Sequence, residues 1–131
     1  EVTGPVQVVL YVSTSVPSTD FTAKLVDVHP DGSAYNICDG IIRQNYKQAI
    51  NGENNPTRIE IDLWPTSNVF LKGHRIRLEI SSSNFPRYDR NTNTGELAPT
   101  ANKTVSEDQT IFHSRQYPSR LILPIIPRTE F

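Results

Sequence analysis

Thr57-Arg58-Ile59-Glu60-Ile61-Asp62-Leu63 sets an apolar side chain at every second position and a polar or charged one between. Successive side chains of an extended strand point to opposite faces, so Ile59, Ile61 and Leu63 share one side and Arg58, Glu60 and Asp62 the other. This is a strand with one face on a core and one in water. Arg75-Ile76-Arg77-Leu78-Glu79-Ile80 repeats the pattern. Residues 6–12 and 21–28 are rich in β-branched and aromatic residues on both faces, which predicts central strands covered on both sides. Further strands are expected over residues 34–38, 69–71, 110–113 and 120–123, the last stopped by Pro124 and Pro127. One short helical turn is expected near residues 43–50.

Turns are expected at residues 17–20, Pro30-Asp31-Gly32, Asn51-Gly52, residues 65–68 and Lys72-Gly73. Glycine supplies positive φ at such places and proline fixes φ near about −65°. Ten prolines, with about eight strand-like runs at short spacing, favour an all-β fold, a β-sandwich or jelly roll, over a helical domain.

The chain has 131 residues, a net charge of −1 and 36% hydrophobic residues, the size and polarity of one globular domain. A chain this long buries about 65–70% of its unfolded surface, enough for a core without disulfides or metals. Cys38 is the sole cysteine, so an internal disulfide is excluded. Thirteen basic and fourteen acidic residues are dispersed, without the basic stripe that phosphate-backbone binding needs, so no nucleic-acid partner is expected. No apolar run approaches the ~20 residues of a membrane span. The chain is expected to be soluble, with cytoplasm slightly favoured over secretion, and a homo-oligomer stays open. It contains no methionine, which suggests a mature product, a clipped tag or a domain excised from a longer protein.

Residues 81–109 form a long polar stretch without sustained periodicity. Structureless loops beyond ~12–15 residues are uncommon in compact domains. Phe85, Pro86, Arg87 and Tyr88 are atypical of a disordered linker, so residues 81–95 are expected to form an ordered surface loop and residues 96–109 a more mobile one.

Catalytic motifs are sparse. A self-contained serine hydrolase should show Gly-x-Ser-x-Gly on a strand-to-helix turn, and none occurs. Ser81, Ser82 and Ser83 follow a strand with His113 downstream; they read as serines ending an edge strand. Cys38 reads as a buried small hydrophobe, because nucleophilic duty needs a nearby base and a lowered pKa. His29, His74 and His113 match no contiguous metal motif; each is expected to be a turn or strand residue hydrogen-bonded locally. Asp89-Arg90-Asn91-Thr92-Asn93-Thr94-Gly95 resembles the start of a calcium loop, but Thr94 and Thr100 stand where an EF-hand needs glycine and a bidentate glutamate. No metal or cofactor is expected. Asn102-Lys103-Thr104 fits the N-glycosylation pattern, which matters only in a secretory pathway, while proline excludes Asn55-Pro56-Thr57.

Five stretches together carry a family resemblance. They are Glu-Val-Thr-Gly-Pro at residues 1–5; Thr-Asp-Phe-Thr-Ala-Lys-Leu-Val-Asp-Val-His-Pro-Asp-Gly at residues 19–32; Asp-Gly-Ile-Ile-Arg at residues 39–43; residues 63–95, with Trp-Pro-Thr-Ser-Asn-Val-Phe, Gly-His-Arg-Ile-Arg-Leu-Glu-Ile and Ser-Ser-Ser-Asn-Phe-Pro-Arg; and Pro-Ser-Arg-Leu at residues 118–121. In this order they resemble the C-terminal domain of the serine hydrolases that include cocaine esterase, α-amino-acid ester hydrolases, glutaryl-cephalosporin acylases and X-prolyl dipeptidyl-peptidases.

The resemblance implies a jelly-roll β-sandwich of the galactose-binding-like type, attached after an α/β-hydrolase domain that carries the Ser, Asp and His. None of those three has a matching position here, so the chain is expected to be a non-catalytic C-terminal domain. Two readings of residues 81–95 stay open. Either the loop docks on the hydrolase domain and helps wall its substrate pocket, or its side chains only brace the loop itself. In the docking reading Asn84, Phe85, Arg87, Tyr88, Asp89, Arg90, Asn91 and Asn93 form the interface, the aromatics supplying apolar area and the polar groups orienting bonds. The alternative function is an independent carbohydrate-binding module, with Trp64 and Tyr88 as stacking platforms. A stand-alone esterase is a third reading.

Overall fold

The computed structural model describes residues 1–14, 18–45, 56–82 and 108–127. Seven strands follow in order: β1 (Val2–Thr14), β2 (Ser18–Val28), β3 (Ala34–Asn45), β4 (Thr57–Asn68), β5 (Arg75–Ser81), β6 (Gln109–Ile111) and β7 (Arg120–Ile122). Among the described residues there is no helix. One sheet runs β4-β1-β6, with β7 also paired to β1, and the other runs β3-β2-β5. Every pairing is antiparallel. The chain changes sheet after β1, β3, β4 and β5, which makes the expected all-β sandwich.

Two-residue alternation builds the core. Val6, Val8, Leu10 and Val12 of β1 meet Phe21, Ala23 and Leu25 of β2, and Ile59, Ile61 and Leu63 of β4 complete the cluster. Arg58, Glu60 and Asp62 face water, with Arg58 Nη1 2.8 Å from Glu60 Oε1. The two strands expected to be central hold the middle of the two sheets. In β2 both faces are buried, since Asp20, Thr22, Val26 and Val28 are covered as well.

The structure corrects several expectations. Residues 65–68 are not a turn: β4 continues through them, past a register shift that sets Leu63 and Trp64 against Val6 alone. Trp64 takes φ = 68° there, and its N–H donates to Asp62 Oδ1 at 2.8 Å. A bulge lets a strand absorb turn-like residues while it bends. Pro65 pairs with Pro5 on this edge strand, where a missing N–H is tolerated. Residues 69–71 are not a strand but the approach to the β4–β5 turn. Residues 43–45, the start of the expected helical turn, extend β3 instead; residues 46–50 lie outside the described residues. Ile76 is 49% exposed, whereas Leu78 and Ile80 pack on the core, because β5 is an edge strand whose first residues lie beyond the opposite sheet's cover.

The sheets close together where β3 passes β4. A Cβ on Gly40 would overlap the Asp62 carbonyl and press Ile61 Cγ2 at 3.1 Å, so only glycine permits this approach. Beside it, Arg43 Nε and Nη2 donate to Asp20 Oδ1 and Oδ2 at 2.7 and 2.9 Å, a bidentate fork across paired positions of β2 and β3.

Two substitutions check this account. Gly40→Ala is expected to lower unfolding stability by about 1–3 kcal/mol, the range for overpacking. Arg43→Ala is expected to lower it by about 2–3 kcal/mol, less than a fully buried pair because the guanidinium is 40% exposed while Asp20 stays buried. Urea midpoints at constant m-value measure both.

Candidate functional site

Three polar groups converge at the C-terminal end of β2. Period two carries the core-facing row Phe21, Ala23, Leu25 onward to Asp27, which puts a carboxylate where an apolar residue belongs. It is buried, as is most of the His74 side chain. His74 Nδ1 lies 2.8 Å from Asp27 Oδ1, and His29 Nε2 lies 3.7 Å from Asp27 Oδ2. The two imidazoles stand 4.2 Å apart, tilted by 41°, and Tyr35 flanks His29 at 4.6 Å.

Local turn chemistry sets this arrangement. Past Val28 the chain reverses through Pro30, Asp31 and Gly32, with His29 N–H donating to Ser33 O at 2.8 Å and Gly32 N–H to His29 O at 2.9 Å. Gly32 takes φ = 89°, the left-handed residue of a three-residue hairpin loop. Asp31 Oδ1 accepts from Ser33 Oγ and N at 2.5 and 2.9 Å, and these bonds, the hydroxyl first, hold its carboxyl below the usual range. His74 closes the second turn, its N–H donating to Leu71 O at 3.0 Å across Gly73, whose φ is 88°. Antiparallel pairing of Asp27 with Ile76 and Val28 with Arg75 brings the turns together. A cleft of about 470 Å³ opens beside them, lined by Val28, His29, Pro30, Gly32, Gly73, Arg75 and Arg77.

Sequence spacing treats the three histidines as scattered, yet the fold makes His29 and His74 neighbours. The signal that would have found them is Asp27, a charge in an otherwise apolar row. His113 lies elsewhere, bridged to Pro118 in a cleft with Leu10, Leu78, Ile80 and Leu121.

Ser81 ends the edge strand β5, as expected, and its carbonyl accepts from Thr22 Oγ1 at 3.3 Å. Cys38 is only half-buried; it packs on the core. Burial, and secondarily the Asp39 carboxylate, push its thiol up, the opposite of an activated nucleophile. The expected interface residues Asn84, Phe85, Arg87, Tyr88, Asp89, Arg90, Asn91 and Asn93 lie outside the described residues, as do the calcium-like run, Asn102 and Ser83. The described flanks of that stretch meet on β2: Ser81 bonds Thr22, and Gln109 Nε2 donates to Thr19 Oγ1 at 2.7 Å. Thr19 and Thr22 precede Asp27 by eight and five residues on one strand, so these two anchor points stand about 26 and 17 Å from the carboxylate–imidazole cluster.

Trp64 is 60% exposed. A separate apolar rim, with exposed Val69, Leu71 and Ile126, surrounds Glu1 and Pro127. No helix of the described residues is long and apolar enough to cross a membrane.

The described residues define an all-β sandwich of two antiparallel sheets. Residues 1–122 match the family described as the X-Pro dipeptidyl-peptidase C-terminal non-catalytic domain, and the chain belongs to that family. It is 50% identical to the cocaine esterase of Rhodococcus sp. (strain MB1 Bresler) over 140 aligned residues, covering 98% of this chain and 24% of that protein. Among solved structures it resembles an aminopeptidase from the marine sediment archaeon Thaumarchaeota archaeon, with TM-score 0.82, 28% identity and coverage of 96% of this chain and 23% of that one. An α-amino acid ester hydrolase gives TM-score 0.79 and 26% identity, covering 94% of this chain and 23% of that one. The chain thus spans about a quarter of the length of these relatives.

The raised Cys38 thiol has a measurable consequence. Its alkylation by iodoacetamide at pH 8 is expected to be at least about tenfold slower in the folded chain than in urea, since fewer thiolates form and access is restricted. Equal rates in both states would contradict the placement of Cys38 against the core.

Proposed function

We propose that this chain is the C-terminal accessory domain of a serine hydrolase of the acyl esterase or X-Pro dipeptidyl-peptidase type, packing on the α/β-hydrolase domain and helping shape its substrate pocket through residues 81–95. The observation that carries this reading is the rooting of the longer segment that contains residues 84–95: Ser81 and Gln109, on either side of residues 83–107, bond to Thr22 and Thr19 within one buried segment of β2. A loop whose base is fixed at both ends on a core strand can hold a partner surface in register. Family membership supports the non-catalytic role, and the fourfold greater length of the relatives supports a larger parent chain. Cocaine esterase and α-amino acid ester hydrolase are named for ester substrates and the archaeal aminopeptidase for peptides, which fits both parent types.

Combined Arg87→Ala and Asp89→Ala substitution in the parent chain tests the docking. The expected result is a lower melting temperature and a fall in kcat/KM of at least about tenfold, because small misplacements of pocket walls reduce turnover. Unchanged kinetics and melting would sink it. The 131-residue chain alone is expected to hydrolyse no chromogenic ester and to take no fluorophosphonate label.

Trp64 favours a second reading, a carbohydrate-binding module, because its indole is exposed and its backbone is held at positive φ. It is the sole tryptophan, so its fluorescence during titration with a glycan panel decides the matter. Saturable quenching by one sugar class supports the module; an unchanged spectrum supports the docking domain.

A further inference from the structure

We propose that Asp27, His29 and His74 form a binding site for a zinc-class divalent cation, held by one carboxylate oxygen and two imidazole nitrogens, with its remaining position open to the cleft beside Arg75 and Arg77. The site stands apart from the docking reading, toward the opposite end of β2 from Thr19, which accepts from Gln109.

The donor set suits such a cation. Imidazole nitrogen and carboxylate oxygen are ordinary zinc ligands, and three protein ligands with one open position are a common arrangement. The ligand atoms of the three side chains all lie within 4.8 Å of one another. In a tetrahedral site with bonds of about 2.0–2.1 Å, donor atoms stand roughly 3.3 Å apart. His74 Nδ1 lies 2.8 Å from Asp27 Oδ1 and His29 Nε2 lies 3.7 Å from the other oxygen, Oδ2. A single ligating oxygen keeps one of these distances as an edge, within about 0.5 Å of that value, and the remaining edges, within 4.8 Å, close by at most about 1.5 Å. The cation takes the place of the proton shared by Asp27 and His74, and neutral His74 carries its N–H on Nε2 instead.

The scaffold is preorganised. Asp27 sits in a central strand, paired with Tyr35 on one side and Ile76 on the other. His29 and His74 each belong to a turn closed by backbone hydrogen bonds. Ligands on strand ends and closed turns lose little freedom when a metal binds. Arg75 and Arg77 line the cleft, and Arg77 pairs with Glu79 at 3.5 Å.

Calorimetric titration of the tag-free chain with zinc chloride tests the proposal, read together with imidazole NMR signals. The expected result is one saturable site, with His29 and His74 signals shifting and His113 unmoved. His29→Ala, at a partly exposed side chain, and His74→Ala are each expected to weaken binding at least about tenfold, the scale that outer-shell changes alone reach. His113→Ala is expected to leave it unchanged. Zinc at a hundredfold excess over Kd should raise the folding equilibrium about 100-fold. Should Asp27→Asn fail to fold, circular dichroism of folded His29→Ala keeps the test valid. No saturable binding, binding that His29→Ala does not weaken, or a shift centred on His113 would each overturn the site and leave Asp27–His74 as a plain hydrogen-bonded clip.

Discussion

The contact between the inner rows of β1 and β2 governs the molecule. Val6, Val8, Leu10 and Val12 on one strand meet Phe21, Ala23 and Leu25 on the other, and each buried Val, Leu or Phe side chain contributes about 1.5–3 kcal/mol. All other strands hang on these two: β4, β6 and β7 on β1, and β3 and β5 on β2. Without that contact the chain would be two narrow sheets, each with an exposed apolar face. Apart from partly exposed Lys24, β2 is covered along its middle, and polar chemistry gathers toward its ends. One end roots the flanks of residues 83–107, and the other carries the Asp27 carboxylate.

Much of this was legible in the sequence. Ile59, Ile61 and Leu63 announce their shared face by strict alternation, and the doubly apolar runs of β1 and β2 announce central strands. The path of β4 was not legible past Leu63. Pro65, Thr66, Ser67 and Asn68 carry turn chemistry, and only the bulge at Trp64, held by the Asp62 side chain, lets them remain in a strand. Ile76 misled for a different reason: alternation gives the face of a residue but not whether the opposite sheet reaches far enough to cover it. His29 and His74 are 45 residues apart, and no local pattern joins them; antiparallel register does.

Membership of the non-catalytic domain family agrees with the chemistry of the side chains. Burial, and then the Asp39 carboxylate, push the Cys38 thiol up, and Ser81 ends an edge strand. What the domain offers is rigidity: a sandwich whose sheets touch closely at Gly40 and whose buried Asp20 is gripped by a guanidinium fork. Such a body can present a loop without deforming. The resemblance carried by the sequence stretches and the family match agree on a non-catalytic C-terminal domain.

Among the described residues β4 forms the outer margin of its sheet, a place where stray chains can add and polymerise. Pro65 has no amide proton to offer a newcomer, the Trp64 bulge breaks the straight line a newcomer would follow, and Arg58, Glu60 and Asp62 surround the remainder with charge. The irregularity that makes β4 hard to read thus also leaves this margin a poor template for an added strand.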